Sequence, residues 1–266
     1  MKNIENLTEL VNCKKVTYKG KTEYRLYNRP ILVGTEKTID KPTYIDFDGF
    51  KVNSETGEVR SNKSIEHSLK SSLSRTVNTI YEIAFSNEWD WFLTFTFNPD
   101  NVNRYDYDEC YKKLSKFLNN FKNRYCIDMK YLIVPEIHKD AAFHFHGLFS
   151  NVDDFYFTDS GHKSFGQIVY NFDSYKLGFS TATKVQDTKK VSSYITKYIT
   201  KDLIKSSNGK HRYLCSKNVN RALIENSYIS PEEFVNLKIE LLQQASYTKE
   251  ISIEKAHQQI TYIHID

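Results

Sequence analysis

No apolar run in the 266-residue sequence reaches the roughly 20 residues that a membrane-spanning helix needs. The N-terminus shows no apolar signal core, so a soluble, cytoplasmic protein with no membrane partner is expected. Only four cysteines occur, Cys13, Cys110, Cys126 and Cys215, without a CxxC pair or dense spacing. That excludes a disulfide scaffold, leaves no structural zinc of its own, and fits a reduced intracellular setting. There is no GxxxxGK[ST] loop, which excludes a P-loop helicase or other Walker-type NTPase within the sequence. Internal repeats and low-complexity runs are also missing. The formal charge of +4 is too small to name a partner.

The distribution of charge says more than its sum. Between Lys184 and Arg221 stand ten Lys or Arg against Asp187 and Asp202 alone. Such a stretch suits a polyanion, although solvated helix faces are often basic too. Seventeen Phe and nineteen Tyr supply enough apolar bulk for a sizeable core.

Residues up to about Ser61 read as short strands, Lys15–Tyr18, Glu23–Tyr27 and Pro30–Val33, broken by Gly20, Gly34 and Gly49. From Ser64 to Phe85 a helical stripe follows, with Leu69, Leu73, Val77, Ile80 and Ala84 on one side. Then an alternation begins: strand Trp91–Phe97, helix Asp106–Tyr125, strands Lys130–Ile137 and Phe143–Phe149, a weak helix over Phe165–Tyr170, strand Gly178–Val185 and a basic helix Thr188–Lys205. The order βαββαβ predicts an α+β, ferredoxin- or RRM-like sandwich with a central antiparallel sheet, followed by a C-terminal catalytic helix. Helix Pro231–Gln244 and strand Gln259–His264 form the tail. The expected organisation is a β-rich extension at 1–64, the main domain at 65–225 and a helix–strand extension at 226–266.

Three elements carry chemistry. His144 and His146 lie two apart on a strand, so their imidazoles share a face while Phe145 turns into the core. Alone, an HxH pair is more often ordinary than ligating. Glu136 changes the balance: with a three-residue turn it stands directly opposite His144, on the same face. Two histidines and a carboxylate with open positions suit Mg²⁺ or Mn²⁺ acting as a Lewis acid. His138 shares the strand face of Glu136 and is the alternative ligand or a supporting partner. The third element is Tyr194-Ile195-Thr196-Lys197-Tyr198-Ile199-Thr200-Lys201. On a helix the tyrosines at i and i+4 point the same way. Lys197 and Lys201 each follow a tyrosine by three residues and give Tyr198 a cation on both sides in sequence. A phenol of pKa about 10 needs such charge to act as a nucleophile. Core aromatics would show the same spacing, but Ile195 and Ile199 offer a better apolar seam and leave the tyrosines for a cleft.

Glu136-x7-His144-x-His146 followed by paired YxxK tyrosines resembles the HUH endonuclease superfamily, and most of all its two-tyrosine rolling-circle replication initiators of phages and plasmids. The Phe- and Thr-rich opening strand of that group is matched by Phe92-Leu93-Thr94-Phe95-Thr96. The likeness runs from about Trp91 to Lys201. It implies a site-specific single-stranded DNA endonuclease and strand transferase. Tyr194 or Tyr198 would form a 5′-phosphotyrosine, Lys197 and Lys201 would steady the phosphate or tyrosinate, and Glu136, His144 and His146 would hold the divalent ion. Partners would be single-stranded DNA at a replication origin, a host helicase and a host DNA polymerase, the protein acting as a monomer. Lys184, Lys190, Lys210, Arg212 and Tyr213 are the expected DNA contacts, the last three because cations beside an aromatic suit phosphate contact and base stacking.

Competing readings are a relaxase or transposase of the same superfamily, and a non-catalytic nucleic-acid-binding RRM-like module. Relaxases usually place their tyrosines before a three-histidine cluster, and small transposases usually have one tyrosine. A stacking module has no use for His144, His146 and Glu136 on one face. A two-His-one-carboxylate oxygenase would sit in a β-barrel and needs no paired tyrosines.

Overall fold

A computed structural model of the chain describes residues 9–34, 44–47, 50–53, 59–60, 62–200, 202–203 and 210–266. The chain divides into two units, one of Met1–Ser61 with Arg221–Asp266, the other of Asn62–Asn220. Both contain antiparallel sheet and helix, so the fold class is α+β.

In the first unit, strands β1 (Glu9–Tyr18) and β2 (Lys21–Val33) form a hairpin, and β3 (Tyr44–Phe47), β4 (Phe50–Asn53) and β5 (Val59–Arg60) form a small separate sheet. The two terminal segments expected to be independent extensions are partners instead. Cys13 of β1 pairs with Ser227 in the late strand Leu223–Ser227, and Leu26 of β2 pairs with Thr261 in Gln258–Ile265. Helix Pro231–Gln244 has the expected bounds, started by a Ser230–Glu233 capping box with Pro231 at its first turn. Its Leu241 is buried with Cys13, Leu26 and Ile263.

The second unit opens with α1 (Asn62–Phe85), whose Ile80 and Ala84 are fully buried as the apolar stripe requires. Strand β6 (Trp91–Phe97) alternates strictly, with Trp91, Leu93, Phe95 and Phe97 buried. Helix α2 (Tyr107–Tyr125) covers that face: Tyr107 packs on Phe143 and Phe145 at 5.2 and 6.3 Å between ring centroids. The Asp106 side chain caps α2 by accepting from the Asp108 and Glu109 amides, and acidic first and basic last turns complement the helix dipole.

Strands β7 (Lys130–Ile137), β8 (Phe143–Ser150), β9 (Phe157–Ser164), β10 (Gln167–Phe172), β11 (Gly178–Lys184) and β12 (Leu214–Cys215) complete a seven-stranded sheet in the order β12-β7-β8-β6-β11-β10-β9. The expected βαββ arrangement is therefore present. The weak helix expected at Phe165–Tyr170 is not: β9 and β10 make a hairpin there, turning at Phe165-Gly166 with both φ angles positive. Ile168, Val169 and Tyr170 prefer a strand, and two left-handed residues make the tight turn that permits one.

The basic helix expected over Thr188–Lys205 is also shorter. Helix α3 spans Thr188–Ile195, tightens into a 3₁₀ turn at Thr196–Tyr198, and reaches extended backbone at Ile199. Thr196 Oγ1 donates back to the Ser193 carbonyl at 2.7 Å, a local bond that competes with continued helix. Among the described residues no helix is long and apolar enough to cross a membrane. All four cysteines are free thiols.

Candidate active site

The even-numbered side chains of β6 and β8 emerge on the face away from α2, and the site is built there. Between β7 and β8 the loop is three residues long, closed by the His138 amide donating to the Ala142 carbonyl at 2.9 Å. Glu136 consequently stands opposite His144, and Val134 opposite His146. Phe145 is fully buried on the other face. The Glu136 Oε2 to His146 Nε2 distance is 2.7 Å, and Thr94 Oγ1 lies 3.0 Å from His146 Nδ1. Both nitrogens of this buried imidazole are thus engaged. The hydrogen bond to His146, with the neighbouring imidazoles, holds the Glu136 carboxyl below the usual carboxylate range against the opposing effect of burial. Burial, then the proximity of His138 and His146, lowers the pKa of His144, which keeps its ring neutral, the form that binds metal.

His138 stacks on His144 at 4.8 Å and 11° between planes, and its Nδ1 faces Asp140 at 3.2 Å. It is close to His144 and apart from the Glu136–His146 bond. Among the described residues no three His, Cys, Asp or Glu side chains are grouped to hold an ion as they stand. The donor set nevertheless suits a hard or borderline divalent cation, with two neutral imidazoles and a carboxylate at adjoining register positions on one face. An ion would take the place of the proton that Glu136 and His146 share.

The two tyrosines close over this pair. Tyr198 stacks on His146, 3.7 Å between centroids and 11° between planes, and its hydroxyl donates to the Tyr194 hydroxyl at 2.9 Å. The 3₁₀ tightening therefore does not separate them. Ile195 and Ile199 point into the core, as the seam argument requires. Phe92, on the same strand face as Thr94, supports all three rings: 5.6 Å to Tyr194, 6.5 Å to Tyr198 and 6.0 Å to His146. Burial above all, then the bond to Tyr194, pushes the Tyr198 phenol well above its ordinary pKa. The Lys197 ammonium lies over the Tyr194 ring at 5.1 Å, so the flanking cation serves Tyr194 rather than Tyr198. Lys201 lies outside the described residues. The supporting parts played by Thr94 and Phe92 were not read from the sequence, although the strand alternation placed both on the histidine face.

Beside the tyrosines runs a groove of about 1390 Å³ between α3 and the β9–β10 hairpin, floored by β11 and β6. Lys184, Lys189, Lys190 and Lys197 line it, with Asp187 the acidic side chain on its wall. Of the expected DNA contacts, Lys184 and Lys190 are thus at the groove. Lys184 also pairs with Asp154 at 2.5 Å and sits over the Trp91 ring, and Lys190 lies 3.7 Å from Asp187. Lys210, Arg212 and Tyr213 are elsewhere. Lys210 pairs with Asp108 of α2, Arg212 donates to Ser72 and Thr76 of α1, and Tyr213 packs against the core.

Residues 90–203 match a family of replication-associated proteins, that of the ORF2 and gene 2 proteins. The matched stretch contains Glu136, both histidines and both tyrosines, and its description agrees with the expected part in DNA replication. No curated protein and no solved structure matches the chain.

Proposed function

We propose that this chain is a two-tyrosine replication initiator of the HUH endonuclease kind, nicking and rejoining single-stranded origin DNA through a 5′-phosphotyrosine. The observation that carries the reading is the contact of a candidate nucleophile with the candidate metal ligands: Tyr198 lies on His146, which is bonded to Glu136 and adjoins His144. A core-aromatic role for the tyrosines does not explain two hydroxyls bonded to each other above that pair, with Tyr194 44% exposed.

In the reaction a tyrosine oxygen attacks the scissile phosphorus, the bond from phosphorus to the 3′ oxygen breaks, and the phenol proton ends on the departing 3′ oxygen. The phosphodiester is conserved as a phosphotyrosine, so the step reverses when a 3′-OH returns. A divalent cation, Mg²⁺ or Mn²⁺, held by Glu136, His144 and His146, would polarise that phosphate as a Lewis acid. Thr94 fixes the His146 ring, Lys197 places positive charge over Tyr194, and the groove lysines bind the flanking phosphates. Two neighbouring hydroxyls allow one monomer to cut the parental strand and then the regenerated origin. The free 3′-OH is a primer for host polymerase, and duplex unwinding is assigned to a host helicase.

The test is incubation with labelled single-stranded origin DNA and Mn²⁺, followed by a denaturing gel. A covalent protein–DNA adduct that disappears in EDTA is expected. Undiminished cleavage in EDTA would contradict the metal site, and cleavage without any adduct would contradict the tyrosine chemistry.

A further inference from the structure

The β9–β10 hairpin turns through two residues, Phe165 at φ +48° and Gly166 at φ +80°. A two-residue turn with both φ positive is built cheaply from Asn-Gly. Phenylalanine at the first position is a bulky side chain in left-handed backbone, an arrangement that costs free energy and persists where something else requires it. Packing does not require it here. Phe165 is 105% exposed, as open to solvent as in an extended peptide. Stability is therefore given up to hold a bare aromatic ring at the hairpin tip.

The tip stands at the groove. Phe165, Ser164 and Gln167 line one side of it, while Lys189, Lys190 and Lys197 on and just after α3 line the other, with Tyr194 and Tyr198 at the end of the same cavity. The Asp187 carboxylate is occupied in capping α3, where it accepts from the Lys190 amide at 3.0 Å. An exposed ring facing a row of cations is the pairing that holds single-stranded nucleic acid, bases stacked on the aromatic and phosphates on the lysines. A folded protein partner would favour an apolar lining around the ring, and this groove is basic.

We infer that Phe165 is a base-stacking residue: it takes one nucleobase of single-stranded DNA lying in the groove and so sets which phosphate reaches Tyr194 and Tyr198. The inference rests on the strand-transfer reading for the nature of the DNA. Phe165 is a positioning residue and does not touch the reacting atoms.

Single-stranded oligonucleotides carrying one 2-aminopurine, moved base by base along the sequence, provide the probe. With the unaltered protein one position should be quenched far more than its neighbours. Phe165→Trp should keep both the quench and the affinity. Phe165→Asn should lose the quench and bind on the order of ten- to a hundredfold more weakly. Because Asn tolerates left-handed backbone, that variant should melt no lower than the unaltered protein, so misfolding cannot explain its loss. Equal binding and quenching by Phe165→Asn would overturn the inference. If adduct formation with origin DNA persists in that case, the strand-transfer reading stands alone. Failure of the unaltered protein to bind single-stranded DNA or form an adduct would remove both.

Discussion

The Tyr198 ring and the His146 imidazole lie face to face at 3.7 Å, nearly parallel, with Glu136 held on the far nitrogen of that imidazole. Position on β8 and position on the 3₁₀ turn after α3 are therefore coupled: whatever displaces His146 displaces Tyr198. Gly147 is where this coupling is most exposed to a small change. A Cβ there would meet the Phe149 ring at 2.6 Å and Ile133 Cγ1 at 2.8 Å, both in the packed face under α2. Gly147→Ala should destabilise the protein by about 1–3 kcal/mol through overpacking. It should also lower adduct formation by shifting His146. Denaturant midpoints measure the first effect, and an unchanged midpoint would contradict it.

Groove binding and edge binding make different predictions for salt. Each phosphate neutralised on single-stranded DNA contributes about 0.7 to the slope of log affinity against log salt. Lys190→Ala together with Lys197→Ala should therefore reduce the slope by roughly 1.4. Lys210→Ala should leave it nearly unchanged, because that ammonium is paired with Asp108. Arg212→Ala should act on stability instead, by removing its bonds to Ser72 and Thr76. A larger change in slope from Lys210→Ala than from the groove lysines would contradict this assignment.

The terminal unit carries an acid-sensitive group unrelated to catalysis. Glu23 is buried between Arg25 Nε at 2.5 Å and His264 Nε2 at 3.0 Å. Burial raises its pKa, but the bond to His264 and the charge and bond of Arg25 outweigh that and leave it below the usual carboxylate range. A carboxyl depressed by folding contributes stability above the unfolded value of about 4.3, and loses it as pH falls through the folded value. Glu23→Gln should lower Tm at pH 7 and flatten the decline below about pH 4. Parallel Tm–pH curves for the two proteins would contradict the prediction.

Much of the site could be read from the chain because its parts obey local periodicities. His144 and His146 share a face by strand alternation, and Glu136 meets His144 because a three-residue loop sets the register. Ile195 and Ile199 took the core and left Tyr194 and Tyr198 outside it, again from helical spacing. Where long-range pairing decides, the reading failed. Nothing local in Glu9–Tyr18 announces Leu223–Ser227 as its neighbour, so one sheet was taken for two extensions. The Phe165-Gly166 turn lacks the Asn that usually marks such a hairpin, and its strands passed for a helix. Arg212 looked like a free cation because its partners, Ser72 and Thr76, lie some 140 residues away.

The central claim is that Tyr194 and Tyr198 are both nucleophiles, and tyrosine-to-phenylalanine variants test it most directly. The ring survives each change, and only the hydroxyl pair is lost. With labelled origin DNA and Mn²⁺, Tyr194→Phe and Tyr198→Phe should each retain an adduct, mapped by peptide mass spectrometry to the remaining tyrosine. Each should be impaired more in closing a circle, which needs two cuts, than in nicking. The double variant should stay folded and form no adduct. An adduct that persists in the double variant, mapped to another residue, would contradict the account.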